Sequence, residues 1–214
     1  MALFDLRFTV AADYLTGFSR PWLALDGLEE FLRTFGERAG GDYEEREECV
    51  WVHRSASVAP SAVLGKYTVI GAETQVRQGA FLRGCVLIGK HCVIGNSTEV
   101  KQSVLFDGVQ APHFNYIGDS VLGRNVHFGA GAVTSNVKSD KSPIFVTWEG
   151  VRQACGRRKF GAIVGDCSEI GCNSVLNPGT VVGRNTTVYP LSCVRGTVPP
   201  DSIYKRDGAI VAKR

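Results

Sequence analysis

The chain has 214 residues, 44% of them hydrophobic and 21% charged, which is long and apolar enough for a packed core and excludes wholesale disorder. A net charge of +3 gives no argument for a nucleic-acid partner, and no apolar run approaches the roughly 18 residues of a membrane span. Glycine is the outlier at 25 residues; with only 8 prolines and no G-X-Y period, collagen is excluded and many close turns are implied.

The N-terminus, MALFDLRFTVAADYL, carries Asp5 and Asp13 and lacks a basic-then-apolar layout, so a cytoplasmic location is expected. Seven cysteines, an odd number without a CxxC, point to reduced thiols. Asp26-Gly27-Leu28-Glu29 has capping-box spacing, and Leu28, Phe31, Leu32 and Phe35 form an i, i+3, i+4, i+7 stripe. A short amphipathic helix ending near Gly36 follows. Residues 1–50 are expected to cap the first coil of the repeat that comes next.

From Val58, stepping by six gives Val58, Leu64, Ile70, Val76, Leu82, Ile88, Ile94, Val100, Phe106 and Pro112, nine of the ten large and apolar. Two residues before an anchor lies a row of small or β-branched residues: Ala62, Thr68, Thr74, Ala80, Val86, Cys92, Thr98 and Val104. The rhythm resumes at Val164, Ile170, Leu176, Val182, Val188 and Val194. A period of six fits neither a helix nor a two-faced strand. It predicts an all-β solenoid, a parallel β-helix in which three hexads, 18 residues, make one triangular coil. Six to seven coils are expected over residues 51–206, with 207–214 as a tail. Glycine after an anchor (Gly65, Gly71, Gly89, Gly95) is expected to serve the turn geometry, and Cys92 reads as a buried, inert thiol.

Residues 135–163 interrupt the repeat as an inserted loop, in which Ile144–Trp148 followed by Glu149-Gly150 suggests a hairpin arm. The insertion carries Lys138, Lys141, Arg152, Arg157, Arg158 and Lys159 against Asp140 and Glu149, 6 − 2 = +4. It reads equally as a solvated loop or as the seat of an anion such as a nucleotide phosphate. After Pro112 the anchors come at steps of five, Ile117 and then Leu122, bracketing Ala111-Pro112-His113-Phe114-Asn115-Tyr116. A sequence that breaks its own rule does so at strained or functional places. Arg83 and Lys101 both occupy the post-anchor position, 18 residues apart, and are expected to stack on one corner as a repelling pair that a phosphate would reconcile.

Glu99-Val100-Lys101, Pro112-His113-Phe114-Asn115-Tyr116-Ile117-Gly118-Asp119, Phe128-Gly129-Ala130-Gly131 and Thr134-Ser135-Asn136 together resemble the acetyltransferase half of the bacterial bifunctional enzymes that make UDP-N-acetylglucosamine from glucosamine-1-phosphate. The likeness covers roughly residues 58–206. It implies left-handed winding, a homotrimer and an acetyl-CoA-dependent N-acetyltransferase for an amino-sugar phosphate, glucosamine-1-phosphate or similar, with no metal, membrane or nucleic-acid partner. It places His113 as general base with Glu99 as the carboxylate that orients it. Arg83, Lys101, Tyr116, Asn136 and Lys141 fall at substrate contacts, and His127 stands where the family has a substrate-binding asparagine. Ala130 matches an acetyl-CoA contact, Cys172 and Pro190 replace small residues along the coenzyme groove, and Lys205 falls near an arginine that holds the coenzyme's phosphate. The nucleotidyltransferase half of those enzymes has no counterpart here, so uridylyl transfer is not expected.

Three other readings share the repeat. A γ-type carbonic anhydrase would need three zinc histidines out of His53, His91, His113 and His127. A non-catalytic scaffold or sugar-nucleotide-binding subunit would use the +4 loop for partners. An O-acetyltransferase would keep the solenoid and change the acceptor.

Overall fold

A computed structural model describes residues 3–214. The hexads build three parallel sheets that wrap one interior, and the architecture matches the left-handed β-helix. The first side runs from Val50–His53 to Thr197–Val198, the second from Ser57–Val58 to Ser202–Tyr204, and the third from Val63–Leu64 to Cys193–Val194. The first two sides hold eight coil strands each and the third seven, so seven complete coils carry two sides of an eighth. This slightly exceeds the expected six to seven.

The interior is filled by the anchors and small residues. Ile70, Leu82, Ile94, Val100, Ile117, Phe128, Leu176 and Val182 are buried in one cluster with Ala80, Cys92 and Ala132. Two expected anchors are corrected. Leu105 and Ala111, not Phe106 and Pro112, point inward. The first five-residue step lies between Val100 and Leu105 and the second between Ile117 and Leu122, both at corners joining the third side to the first. The corner at Lys101-Gln102-Ser103 is one residue short, as the pairing of Val104 with Leu87 and Val121 shows. Val104 and Phe106 are thereby turned outward onto the flank, where they are still buried. A fixed step of six could not detect this, because Phe106 and Val104 are apolar enough to pass for interior residues.

The glycines after anchors serve close approach rather than left-handed backbone. A Cβ on Gly95 would lie 1.6 Å from the Pro112 carbonyl oxygen, and one on Gly71 would lie 2.5 Å from the Gly89 carbonyl oxygen. The left-handed positions fall two residues later, at Ser97, Phe114, Asn173 and Leu191 among others.

The first side exposes an apolar row, Val69, Leu87, Val104, Val121, Ile163 and Val181, which no solenoid can bury by itself. The N-terminal segment covers it: Leu3, Trp22, Leu25, Leu28, Leu32 and Phe35 pack on that row with Ile144, Val146 and Phe160 of the insertion. The expected cap over the first coil is therefore mainly a cover along the flank. The helix Leu28–Arg33 has Gly27 at its N-cap and no side-chain cap, because Asp26 turns away to bind Arg157. The solenoid ends are closed by short antiparallel strands, Tyr43–Glu47 on Val50–His53 and Ile210–Ala212 on Ser202–Tyr204. The glutamates of the first such strand leave a charged edge that discourages further pairing. The insertion forms the hairpin Phe145–Trp148 with Val151–Ala154, turning at Glu149 and Gly150, both left-handed as such a two-residue turn requires. Among the described residues no helix is long and apolar enough to cross a membrane.

Candidate active site

The parallel register fixes which side chains share a corner. Ile94, Ala111, Phe128, Ile170, Val188 and Tyr204 follow one another on the second side. Counting two residues on from the first five puts Asn96, His113, Ala130, Cys172 and Pro190 in one column at the corner before the third side; past Tyr204 the chain turns back as a hairpin, which brings Arg206 beside Tyr189. The backbone bonds agree: Phe114 donates to the Asn96 carbonyl, Gly131 to His113, Asn173 to Ala130 and Leu191 to Cys172. Lys205 lies one residue back, beside Tyr189, Arg206 and Asp207 around a cleft of about 470 Å³. The structure thus brings the expected base and all four expected coenzyme residues to one corner. The basic pair Lys205 and Arg206 ends that row. Arg206 and Tyr189 escaped sequence reasoning, although the register alone would have supplied them.

His113 is exposed at the start of this column, its own N–H directed to Asn115 Oδ1 at 3.3 Å. The corner is held from inside. Asn115 occupies the small inward row, is buried, and donates to the carbonyl oxygens of Gly129 (2.8 Å) and Ala132 (3.1 Å). An asparagine there satisfies carbonyls that a threonine hydroxyl reaches in neighbouring coils.

A second set of residues gathers at the third side. Glu99 pairs in register with Tyr116, and Tyr116 with Val133. The Arg83 guanidinium donates to Glu99 at 2.7 Å, and the Lys101 ammonium to Asp119 Oδ2 at 3.1 Å. Asn136 Nδ2 donates to the Tyr116 hydroxyl at 3.1 Å and to Asp119 Oδ2 at 2.5 Å. Burial pushes the Tyr116 hydroxyl pKa up, opposed by the Asn136 bond. The expected bare cation pair is corrected: Arg83 and Lys101 stack as the spacing required, yet each has its own carboxylate, so no repulsion awaits a phosphate. Glu99 is engaged by Arg83, and no hydrogen bond joins it to His113 among the described residues.

Asp119, 3% exposed, is the hub that sequence reasoning passed over. Arg157 of the insertion reaches it at 3.8 Å and also binds Asp26 of the N-terminal segment. Lys141 stands on the insertion beside Arg158 and Lys159. His127 lies on the second side between Gln110 and Glu169, with Nδ1 2.8 Å from Glu169 Oε2, a full side away from the Lys101 cluster in this chain. Among the described residues no three histidines, cysteines or carboxylates converge to hold a metal ion.

Known proteins share this chain's pattern. It is 28% identical over 205 residues to the "Bifunctional protein GlmU" of Methanococcus maripaludis, covering 94% of the chain and 50% of that protein. The match lies over the C-terminal half of the GlmU sequence. The chain is similar to the acetyltransferase half of GlmU. It is also 36% identical over 103 residues to a "Bifunctional sugar-1-phosphate nucleotidylyltransferase/acetyltransferase" of Sulfurisphaera tokodaii, covering 48% of the chain and 26% of that protein. The chain spans about half the length of the Methanococcus maripaludis GlmU. No protein-family profile matches it. Among solved structures, the acetyltransferase domain of PglB from Neisseria gonorrhoeae FA1090, in complex with acetyl coenzyme A, covers 75% of the chain and 56% of its own at 21% identity, with a TM-score of 0.36.

Proposed function

We propose that this protein is an acetyl-CoA-dependent N-acetyltransferase acting on an amino-sugar phosphate, glucosamine-1-phosphate or a similar compound. The observation that carries the reading is the corner column. An exposed imidazole and four residues expected at the coenzyme stack on one edge, and the lysine lies four coil steps from the histidine, about 19 Å at ~4.8 Å per step. An extended thioester arm laid along that edge puts its acyl end at His113 and its phosphates at Lys205 and Arg206.

In this mechanism His113 Nε2 or Nδ1 takes a proton from the acceptor amine as the nitrogen attacks the thioester carbonyl. A C–N bond forms, the C–S bond breaks, and the proton passes to the departing thiolate. Corner N–H groups stabilise the oxyanion of the tetrahedral intermediate. Tyr116, Asn136 and Lys101 hold the sugar, Arg83 and Lys141 its phosphate, and His127 contacts the acceptor from a neighbouring subunit. Glu99 serves through Arg83 in this chain. The third side supports assembly as a homotrimer, because its outward row Val63, Phe81, Glu99, Tyr116, Val133, Val175 and Cys193 is mostly apolar apart from Glu99, with Val63 56% and Phe81 42% exposed.

The test is thiol release from acetyl-CoA with a panel of amino-sugar phosphates, alongside calorimetric binding of acetyl-CoA. Turnover that His113→Ala abolishes supports the reading. No acetyl-CoA binding would leave the fold as a scaffold.

A further inference from the structure

The six cations of the insertion fall into two groups. Arg157 is bound to Asp26 and Asp119, the Lys138 ammonium donates to Ser142 Oγ (3.2 Å) and the Pro143 carbonyl oxygen (2.8 Å), and Arg152 lies 4.1 Å over the Phe145 ring. Lys141, Arg158 and Lys159 have no side-chain partner among the described residues. All three line one cavity of about 350 Å³ together with Val137. Lys141 and Arg158 also line an adjoining cavity of about 320 Å³, whose wall includes Arg157. Beyond Val137 a third cavity of about 420 Å³ is bounded by Ser135, Lys138, Ser139, Asp140, Asn177 and Arg195, the Asp140 carboxylate being occupied by the Ser142 N–H at 2.9 Å.

The backbone that carries these three cations is held in place. Arg158 and Lys159 sit between Arg157, clamped by two carboxylates, and the buried Phe160, whose N–H donates to the Asn136 carbonyl oxygen at 3.0 Å. Lys141 has a left-handed backbone, and its N–H donates to the Lys138 carbonyl oxygen at 3.0 Å. Cations that share one cavity repel, and a multiply charged anion reverses the sign. Arg83 and Lys101 do not offer this, since Glu99 and Asp119 already neutralise them.

We propose that the insertion groove binds a nucleoside diphosphate group. Lys141, Arg158 and Lys159 hold the two phosphates, and the cavity beyond Val137 takes the nucleoside. Three linked cavities of this size suit a nucleotide rather than a lone phosphate. The Arg157 end of the groove leads to Asp119 and Asn136, where a sugar carried on the diphosphate meets Tyr116. The inference deepens the acyl-transfer reading, on which it rests only for the acceptor: the amino-sugar phosphate is one whose phosphate belongs to a nucleoside diphosphate, with Lys141 holding it in both readings; nucleotide binding itself stands or falls separately.

The experiment is calorimetric titration of the full chain with UDP, GDP, inorganic pyrophosphate and glucosamine-1-phosphate, with acetyl-CoA titrated in parallel. UDP or GDP is expected to bind more tightly than pyrophosphate or the sugar phosphate. Binding should weaken about tenfold or more in Arg158→Gln/Lys159→Gln and be unchanged in Lys90→Gln, an exposed cation outside the groove. Acetyl-CoA binding and the unfolding midpoint of the double variant should match the parent. No nucleotide binding at about 1 mM, an unaltered double variant, equal loss in Lys90→Gln, or pyrophosphate as tight as both nucleotides would each overturn the proposal. Nucleotide binding without acetyl-CoA binding would sink the transferase reading and leave this one standing.

Discussion

Lys101 and Asp119 form the ion pair on which the candidate site is built, Nζ to Oδ2 at 3.1 Å, with the carboxylate almost fully buried and the ammonium 20% exposed. The pair joins two consecutive coils of the third side, and the second oxygen of Asp119 faces Arg157. One carboxylate thereby ties the solenoid to the insertion and, through Arg157 and Asp26, to the N-terminal segment. Replacing Asp119 by Asn leaves Lys101 and Arg157 without their counter-charge in a water-poor setting. The expected cost is about 3 kcal/mol in urea unfolding, with weakened acceptor binding. Stability equal to the parent would show that the coils hold without the hub.

His113 is exposed and its ring makes no hydrogen bond among the described residues, so its removal costs little structurally. His113→Ala is expected to lower kcat by about 100-fold or more while leaving the unfolding midpoint and acetyl-CoA affinity near those of the parent. A variant with near-normal thiol release would remove the histidine from the reaction.

Gly95 is a packing requirement. Its missing Cβ would stand 1.6 Å from the Pro112 carbonyl oxygen, backbone that cannot rotate away. Gly95→Ala should therefore destabilise by about 3 kcal/mol or more and disturb the corner that presents His113. Denaturant unfolding and circular dichroism would measure it, and a neutral substitution would mean that the coils are spaced more loosely than described.

Burial pushes the Cys92 thiol up to about 12 and the Tyr14 hydroxyl up to about 12. Each group is neutral when protonated, so the folded chain retains these protons at pH values where the unfolded chain has lost them. Their contribution is full below the unfolded values, near 9 for Cys92, and is lost as pH rises toward 12. Stability to urea should fall between pH 9 and pH 11 and the fall should be shallower in Cys92→Ala. At pH 8 a thiol reagent is expected to modify the exposed Cys172 and Cys193 while sparing Cys92 in the folded chain. Equal rates at all three would contradict the buried placement.

The solenoid was legible because its cause is local and repeated: every coil needs an apolar corner residue, a small neighbour and a tight turn at the same spacing, so the pattern is written many times. The hairpin was legible from Glu149-Gly150, since few residue pairs accept two successive left-handed conformations. The register slip at Val100–Leu105 was not, because both Leu105 and Phe106 are apolar and only the position of the neighbouring coil shows which one faces in. Likewise the capping-box spacing at Asp26 concealed a carboxylate that serves Arg157, 131 residues away.

The sequence by itself determined the kind of coil and most of the residues that fill it, and its motif singled out His113, although the rhythm breaks at neighbouring corners rather than at the histidine. It did so because period, residue size and motif order are properties of a one-dimensional string. Only the tertiary structure decided which charges neutralise one another, that Asp119 is the hub, that the segment from Leu3 to Phe35 covers a flank, and that Lys141, Arg158 and Lys159 find no side-chain partner among the described residues. Ion pairing depends on distances between coils, the N-terminal segment and the insertion, and those distances exist only after the chain has wound.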